Sequence, residues 1–232
     1  MKDYLLLFLI SLLPVALSAL VYLTGRTKAA EKISYANRQI IIGVLFGVLA
    51  IIGTEFGIKI DGAVINARDA SPVCAGLLFG APAGIIAGVI GGVERWLAVF
   101  WGAGEYTRLA CSISTVLAGV FAAVLRKYMF DNKKPKWYYC LATAVIAEVI
   151  HMLMIFLTNM TDARTAFSFV RACSLPMIAV NGLAVMLAGI LLSLLAGRER
   201  KGSRHDLKNI SQSFQRWLLI CVTAGFLMTT IF

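Results

Sequence analysis

The sequence predicts an all-α polytopic membrane protein, a helical bundle with about eight transmembrane helices. Of its 232 residues, 59% are hydrophobic and only 15% are charged, and the mean hydropathy is +0.82, far more apolar than an ordinary soluble domain. Continuous apolar runs recur along the chain, each near the roughly twenty residues that a helix needs to cross the hydrocarbon layer. The ten-residue alternation of a transmembrane barrel is absent from the sequence.

The charge and the cysteines exclude several other classes of protein. The net charge of +10 arises from basic residues in short segments between apolar runs, which is typical of membrane topology and not of nucleic-acid binding. The five cysteines have no CxxC spacing and an odd total, so neither a disulfide framework nor a metal site is predicted. No cofactor is predicted either. The cysteines are Cys74, Cys111, Cys140, Cys173 and Cys221.

Two basic segments predict which side of the membrane is cytoplasmic. The first lies between apolar spans at about 4–23 and 40–57, and the second is RKYMFDNKKPK, residues 126–136. Short loops rich in lysine and arginine stay in the cytoplasm. The N-terminus is therefore predicted outside, and residues 1–23 are interpreted as a first transmembrane helix because no A-x-A cleavage site follows them.

The stretch SPVCAGLLFGAPAGIIAGVIGGVERW, residues 71–96, is predicted to form parts of two spans. The chain leaves the cytoplasm near residue 40 and returns near 126, so the number of crossings between them must be even. A break at Gly80-Ala81-Pro82 meets this requirement with spans at about 40–57, 65–79, 83–100 and 108–124. Glycine relaxes the backbone and proline suits the first turn of a helix, so a glycine-rich broken hairpin is predicted at the inner leaflet.

The remaining spans are predicted at about 137–157, 174–195 and 217–232. The outer segment TNMTDARTAFSFVR separates the first two, and the basic segment GRERKGSRHDLK precedes the last. We therefore divide the chain into an N-terminal helix and loop (1–33), a central six-helix membrane domain (34–196), and a basic loop with a final helix (197–232). The glycine repeat at 80, 84, 88 and 92 predicts a smooth packing face on the returning helix.

Polar residues concentrate at one depth of the predicted bundle, in its outer half. Charges within a membrane are costly and mark function by default. Arg95 is expected about 20 Å above the inner corner by helical rise, and Arg68, just after Asn66, begins the entering helix near the same level. On the next helix Thr107, Cys111 and Ser114 fall on one face. Two arginines with hydroxyls and a thiol predict an outward-opening site for a small anion, because guanidinium groups match carboxylates.

Other interpretations of these residues stay open. Arg95 could pair with Glu94 or Glu148, Arg68 with Asp69, and the hydroxyls could bond to their own helix. Glu148 is interpreted as a supporting residue that orients an arginine, and His151 as a core residue. Asn181 is expected in a polar floor of the site near the midplane. No nucleophile, metal-protease or nucleotide-binding motif is present, so no catalytic residue is predicted.

Three successive segments resemble the membrane domain of LytS/YhcK-type receptors, the five-transmembrane LYT family. They are GTEFGIKIDGAVINARD, AGLLFGAPAGIIAGVIGGVER and TRLACSISTVLAG. They contain the N-x-R segment Asn66-Ala67-Arg68, a corner followed by Gly91-Gly92 and Arg95, and the helix from Cys111 to Thr115. The similarity covers about residues 34–195. Ala81 departs from the pattern, since the family often has the glycine and proline of the corner adjacent.

The resemblance implies a sensor that couples an extracytoplasmic stimulus to a cytoplasmic kinase, cyclase or phosphatase, with pyruvate-like carboxylates as ligands. It implies ligand contacts at Arg68, Arg95, Cys111 and Ser114. The expected partners are a small anion, the lipid bilayer and a second copy in a full-length receptor. The output domain is expected in a longer chain, since residues 1–232 contain none. The alternatives are a solute-binding transporter subunit like those of energy-coupling-factor systems, and a structural scaffold without a ligand.

Overall fold

A computed structural model of the protein describes residues 2–60 and 63–196, and it confirms the all-α membrane fold. Within those residues, six helical segments are long and apolar enough to cross a membrane. They are Leu5–Thr24, Tyr35–Glu55, Ala81–Trp101, Arg108–Met129, Trp137–Thr158 and Met160–Leu195. The eighth predicted span, 217–232, and the basic segment 197–208 lie outside the described residues.

The regular elements follow one another along the chain with short connections. The α-helices are α1 (Lys2–Ser11), α2 (Leu13–Thr24), α3 (Lys28–Glu31), α4 (Tyr35–Glu55), α5 (Ala70–Cys74), α6 (Ala81–Leu97), α7 (Arg108–Val124), α8 (Trp137–Thr158) and α9 (Ala163–Leu195). The strands β1 (Ile58–Ile60) and β2 (Ala63–Ile65) form an antiparallel hairpin between α4 and α5.

The predicted break at Gly80 is confirmed, and residues 73–93 do not form one rod. Helix α5 continues as a π-helical turn, Ala75–Phe79, and α6 begins at Ala81. The corner lies against the first turns of α4, where the Gln39 amide donates to the Phe79 carbonyl at 3.3 Å and accepts from the Ala83 amide at 3.3 Å. The chain therefore runs down to the end of the bundle where α4 starts and then turns back.

The third predicted span differs from the structure, because only its second half is helical. Residues 65–69 were expected to open a helix from Ile65, but Ile65 ends β2 and the helix begins at Ala70. The ten residues Ala70–Phe79 rise about 15 Å, and the non-helical residues 66–68 add at most about 10 Å. Together they cover most of the hydrocarbon layer of about 30 Å.

Two asparagines satisfy the non-helical backbone of residues 66–69. The Asn66 side chain accepts from the Arg68 amide at 3.2 Å. The Asn181 side chain accepts from the Ala70 amide at 2.9 Å and donates to the Asn66 carbonyl at 3.1 Å. Irregular backbone at membrane depth requires such partners and enclosure by protein, and residues 65–78 are all buried.

Glycines allow α6 and α7 to pack with their backbones in contact. A Cβ atom on Gly88 would lie 2.9 Å from the Thr115 carbonyl oxygen, and one on Gly92 would lie 2.7 Å from the Ser112 carbonyl oxygen. Gly84 and Gly119 face each other in the same interface. The predicted glycine face is thus a packing surface, and it holds the two helices that carry Arg95 and Cys111 close together.

The outer segment before the last described span is mostly helical. It was predicted to be a connection, but α9 begins at Ala163 and continues for 33 residues past Pro176. Asp162 caps its first turn by accepting from the Thr165 amide at 3.2 Å. A helix of this length spans about 50 Å, so α9 extends beyond the hydrocarbon layer.

The two ends of the bundle differ in charge. Tyr22, near the end of α2, lies beneath Lys134 and Arg26 in cation–π contacts with centroid distances of 4.1 and 5.1 Å. Arg38 and Arg126 lie close to the same lysine. We call this the basic end, and the end carrying the β-hairpin and residues 98–107 the hairpin end.

Candidate ligand-binding site

A cluster of buried polar side chains lies where the extended segment meets α5. Five elements contribute to it: α4, the segment 66–69, α6, α7 and α8. Its charged members are Arg68, Asp69, Arg95, Glu148 and His151, and Thr54, Thr107, Cys111 and Thr115 surround them; all are at most 8% exposed.

Arg68 reaches the cluster because α4 has no side chain at Gly53. A Cβ atom there would lie 2.8 Å from the Arg68 Cα, so any other residue would push the extended segment away. The guanidinium group is fully buried. Its Nε donates to Asp69 Oδ1 at 3.3 Å and its Nη1 donates to Thr54 Oγ1 at 3.4 Å.

Arg95 enters from the last turn of α6 and is 1% exposed. Its Nη2 donates to the Gly104 carbonyl at 2.7 Å and to Thr107 Oγ1 at 3.1 Å. The connection after α6 can bend over this arginine because Gly102 adopts a left-handed conformation with φ of 108°. Residues 102–107 therefore close the site from the hairpin end.

Asp69 connects the helices around the site. Its Oδ1 accepts from Thr115 Oγ1 at 2.7 Å as well as from Arg68, and its Oδ2 lies 2.7 Å from His151 Nδ1. The other ring nitrogen of His151, Nε2, lies 3.3 Å from Cys111 Sγ. A continuous chain of contacts thus joins the extended segment, α8 and α7.

Several polar atoms in the cluster are unsatisfied. Within residues 2–60 and 63–196, Arg68 Nη2, Arg95 Nη1 and both carboxylate oxygens of Glu148 are buried without a hydrogen-bond partner. Both guanidinium groups also lie close enough to the Cys111 thiol to interact with it electrostatically. Buried native polar groups are normally satisfied, so the two free guanidinium nitrogens mark a place where an acceptor is missing.

The structure brings part of the predicted site together and separates the rest. Arg68, Arg95 and Cys111 converge, and Thr107 orients Arg95. Asn66 and Asn181 instead support the extended backbone. Ser114 is buried on the same helix as Cys111, and its hydroxyl donates to its own helix at the Ala110 carbonyl, 2.7 Å away.

Sequence reasoning missed the roles of Asp69, His151, Thr115 and Thr54. The pairing of Arg68 with Asp69 had been left as an alternative, and the structure contains it. His151 had been interpreted as a core residue; it is buried, but it contacts both Asp69 and Cys111. Its neighbour Glu148 lies 3.7 Å from His151 Nδ1. The signal in the sequence was the pair of titratable residues one turn apart within an apolar helix.

The cluster also contains donor atoms that suit a cation. Donor atoms of Asp69, Glu148 and His151 lie within 4.8 Å of one another and could hold a metal ion. However, Asp69 is already paired with Arg68, and Arg95 adds a second positive charge nearby. Positive groups on this side oppose a further cation.

Comparison with known proteins identifies the family. The family model described as 5TMR of 5TMR-LYT matches residues 21–195, about three quarters of the chain. The chain belongs to the 5TMR-LYT family. This 5TMR-LYT domain is a multi-pass membrane domain, and the resemblance inferred from the sequence is confirmed.

The relatives of this 5TMR-LYT chain are sensor proteins. Sensor histidine kinase YpdA of Escherichia coli is 23% identical over 179 residues, which are 77% of this chain and 30% of YpdA. Sensor histidine kinase BtsS of Escherichia coli is 29% identical over 162 residues, 68% of this chain and 28% of BtsS. Sensor protein LytS of Bacillus cereus is 30% identical over 143 residues, 60% of this chain and 22% of LytS.

The chain thus spans less than a third of the length of these relatives. The matched part is the membrane domain, and the described residues contain no kinase domain. No solved structure matches the chain.

Proposed function

We propose that this domain binds a small extracytoplasmic anion carrying a carboxylate and relays its presence to a cytoplasmic output domain of a longer receptor. The observation that carries the proposal is the pair of buried guanidinium groups, Arg68 and Arg95, each with one unpartnered nitrogen beside the Cys111 thiol. A carboxylate would accept one hydrogen bond from each arginine. Charge-assisted bonds of this kind are about twice as strong as neutral ones.

The charges around the site favour an anion over a neutral ligand. Arg68 is neutralised by Asp69, whereas Arg95 contacts only neutral oxygens of Gly104 and Thr107 among its hydrogen-bond partners. A buried charge without a counter-charge is costly. A monocarboxylate would supply a negative charge in hydrogen-bond contact with Arg95, and the Thr107 hydroxyl would lie beside it.

Ligand entry requires the site to open toward the hairpin end. Residues 102–107 hold Arg95 through Gly104 and Thr107, and Trp101 Nε1 donates to Glu55 Oε1 at 2.5 Å beside them. Displacing this connection would expose Arg95 before any transmembrane helix has to move. The hairpin end is proposed to face outside, because the basic end has the lysines and arginines expected of cytoplasmic loops.

The same orientation places the N-terminus outside the cell membrane and the Gly80 corner at the cytoplasmic face. The helix Ala70–Phe79 would then connect the two sides. Its start adjoins Arg68 and Asp69, and at its other end the Leu77 carbonyl accepts from Arg126 Nη1 at 2.6 Å. A ligand that binds one packing of this helix more tightly than another would shift the population between them. If two receptor copies pair, the shift in helix packing would be passed to two cytoplasmic output domains that act as a dimer.

A second candidate function is solute binding within a transporter. Occlusion of the site on all sides suits a solute-binding subunit of a transporter, like those of energy-coupling-factor systems. Such a subunit would carry radiolabelled solute into vesicles when joined to its permease. A sensor would bind the solute without any uptake, so a flux measurement distinguishes the two functions.

The proposal is tested by ligand binding to purified protein in nanodiscs. Acetate, pyruvate, lactate and phosphate are titrated while thermal stability is recorded. At least one monocarboxylate is expected to stabilise the wild type. The substitution Arg95→Gln should weaken its binding by about tenfold or more, because one charged hydrogen bond is worth about 1.5–3 kcal/mol.

The matched control is Arg164→Gln on the exposed first turns of α9, which should leave binding unchanged. Absence of stabilisation by every anion, or equal binding by wild type and Arg95→Gln, would refute the proposal.

A further inference from the structure

Cys111, His151 and Asp69 form a line of contacts that anion binding alone does not need. Asp69 Oδ2 lies 2.7 Å from His151 Nδ1, and His151 Nε2 lies 3.3 Å from Cys111 Sγ. All three residues are at most 7% exposed. The sequence separation of 82 residues between Asp69 and His151 and of 40 between His151 and Cys111 means that the tertiary fold assembles this arrangement.

The geometry is that of an activated nucleophile. With its proton on Nδ1, His151 donates to Asp69, and Nε2 is then the acceptor that faces the thiol. His151 can then take the thiol proton, and the nearby guanidinium groups of Arg68 and Arg95 stabilise the resulting thiolate. Nucleophile, base and orienting group stand in the order seen in cysteine–histidine catalytic sites.

The other described cysteines lack this environment. Cys74 and Cys140 lie in one apolar core cluster and Cys173 in another, and none of the three has a histidine within hydrogen-bond distance in the part of the chain that the structure describes. Cys140 instead packs against Gly189 near the basic end. The reactive environment at Cys111 is therefore specific to the site with the two arginines.

We propose that Cys111 adds reversibly to the carbonyl carbon of a 2-oxo carboxylic acid held by Arg68 and Arg95, so that the ligand is sensed as a thiohemiketal. This inference rests on the proposed function and adds a covalent step at Cys111. The two arginines position a carboxylate, and a carbonyl directly attached to that carboxylate would lie next to the thiolate that both arginines face.

The step balances without any further reactant. Cys111 transfers its proton to His151 Nε2, and the sulfur lone pair forms a bond to the carbonyl carbon. The π electrons of the C=O bond move to its oxygen, which takes the proton back from His151. The S–H bond and the π bond break, a C–S and an O–H bond form, and no group leaves, so the adduct cannot proceed to an acyl intermediate and only reverts.

This chemistry suits a receptor because it separates ligands by reactivity. Acids of the same size and charge without the carbonyl would fill the anion site but could not form the carbon–sulfur bond. The two states of Cys111, thiol and adduct, also differ in their contacts with His151 and, through it, with Asp69 at the start of the helix Ala70–Phe79. Adduct formation would thereby bias the element proposed to transmit the signal.

The test compares pyruvate with propanoate and lactate on the intact chain in nanodiscs. Pyruvate labelled with ¹³C at carbon 2 should give, when bound, a resonance of a tetrahedral carbon attached to sulfur and oxygen. Pyruvate should also bind more tightly than propanoate by about tenfold or more, equivalent to about 1.4 kcal/mol.

Cys111→Ala should remove the new resonance and bring the affinities for pyruvate and propanoate within about twofold of each other. Cys140→Ala is the matched control and should keep both. His151→Gln, which retains a side chain that can donate to Asp69, should slow or abolish adduct formation.

The outcomes separate this inference from the proposed function. If no carboxylate binds the wild type, the proposed function itself fails. If pyruvate and propanoate bind equally and bound pyruvate keeps its ketone resonance, the anion site stands and the covalent step is wrong. A tetrahedral resonance that persists in Cys111→Ala would also overturn the proposal, because it would be the hydrate of pyruvate.

Discussion

At the scale of single residues, the polar side chains in this bundle divide into those that complete the fold and those that remain available. Asn66 and Asn181 use their hydrogen-bonding capacity on the extended backbone. Arg68 and Arg95 use only part of their hydrogen-bonding capacity, since each retains a buried nitrogen without a partner among the described residues. Removing a side chain whose hydrogen bonds are satisfied within the protein should therefore destabilise the fold. Removing one with an unpartnered buried nitrogen should weaken ligand binding.

Asn181→Leu is predicted to destabilise the domain without a direct effect on anion contacts. The substitution leaves the Ala70 amide and the Asn66 carbonyl without their partner, and each unsatisfied buried group costs about 1–3 kcal/mol. Thermal unfolding in detergent should therefore start at a clearly lower temperature than in the wild type.

The control for this change is Asn37→Leu on the exposed first turn of α4. Its unfolding temperature should stay near that of the wild type. Equal stability of Asn181→Leu and Asn37→Leu would mean that the extended segment is held by other contacts.

At the scale of elements, the α6–α7 interface fixes the distance between Arg95 and Cys111. The two helices approach at Gly84, Gly88 and Gly119, where carbonyl oxygens and Cα atoms of one helix face those of the other. Backbone contact of this kind cannot be relieved by a rotamer change, because no side chain stands between the helices.

Gly84→Ala is predicted to destabilise the bundle by about 1–3 kcal/mol, the usual cost of overpacking. Its new Cβ atom would lie 2.8 Å from the Gly76 amide nitrogen and 3.1 Å from the Gly119 carbonyl oxygen, so both neighbouring segments would have to shift. Thermal unfolding and the affinity for the stabilising carboxylate should both decrease.

Gly182→Ala on α9 provides the contrast. There the nearest atom to a new Cβ is Leu141 Cδ1 at 3.3 Å, the end of a side chain that can move. This variant should unfold close to the wild-type temperature, and a loss equal to that of Gly84→Ala would disprove the argument from backbone contact.

At the scale of the whole molecule, the number of crossings decides which end of the bundle faces outside. The extended segment together with the helix Ala70–Phe79 forms one crossing, so the connections on either side of it lie at opposite ends. The loop containing Lys134 then belongs to the basic end, and the turn at Met160 to the hairpin end.

This topology predicts how single cysteines react with a membrane-impermeant maleimide in intact cells. Met160→Cys, at a position that is 58% exposed, should be labelled from outside. Lys134→Cys should react only after the cells are permeabilised, because it lies with the basic residues expected in the cytoplasm. If only Lys134→Cys were labelled in intact cells, the predicted orientation would be wrong and the candidate site would open toward the cytoplasm.

The membrane class, the break at Gly80 and the convergence of Arg68, Arg95 and Cys111 could be predicted because each depends on local signals. Long apolar runs, basic loops and a glycine–proline corner act over a few residues. The start of the helix at Ala70 could not be predicted in this way. Residues 66–68 stay outside the helix, and Asn181, more than a hundred residues later in the chain, bonds to the Asn66 carbonyl and the Ala70 amide at either end of them.

The sequence by itself determined that the chain lies in a membrane, where it turns at Gly80, and that two arginines lie at one depth, since hydrophobicity and parity need no tertiary contact. Only the tertiary structure decided that Asp69, His151 and Cys111 meet and that the site is closed. Those contacts join α7, α8 and the extended segment. Which faces of separate helices meet depends on packing along their whole length, and glycine contacts between α6 and α7 set that packing here.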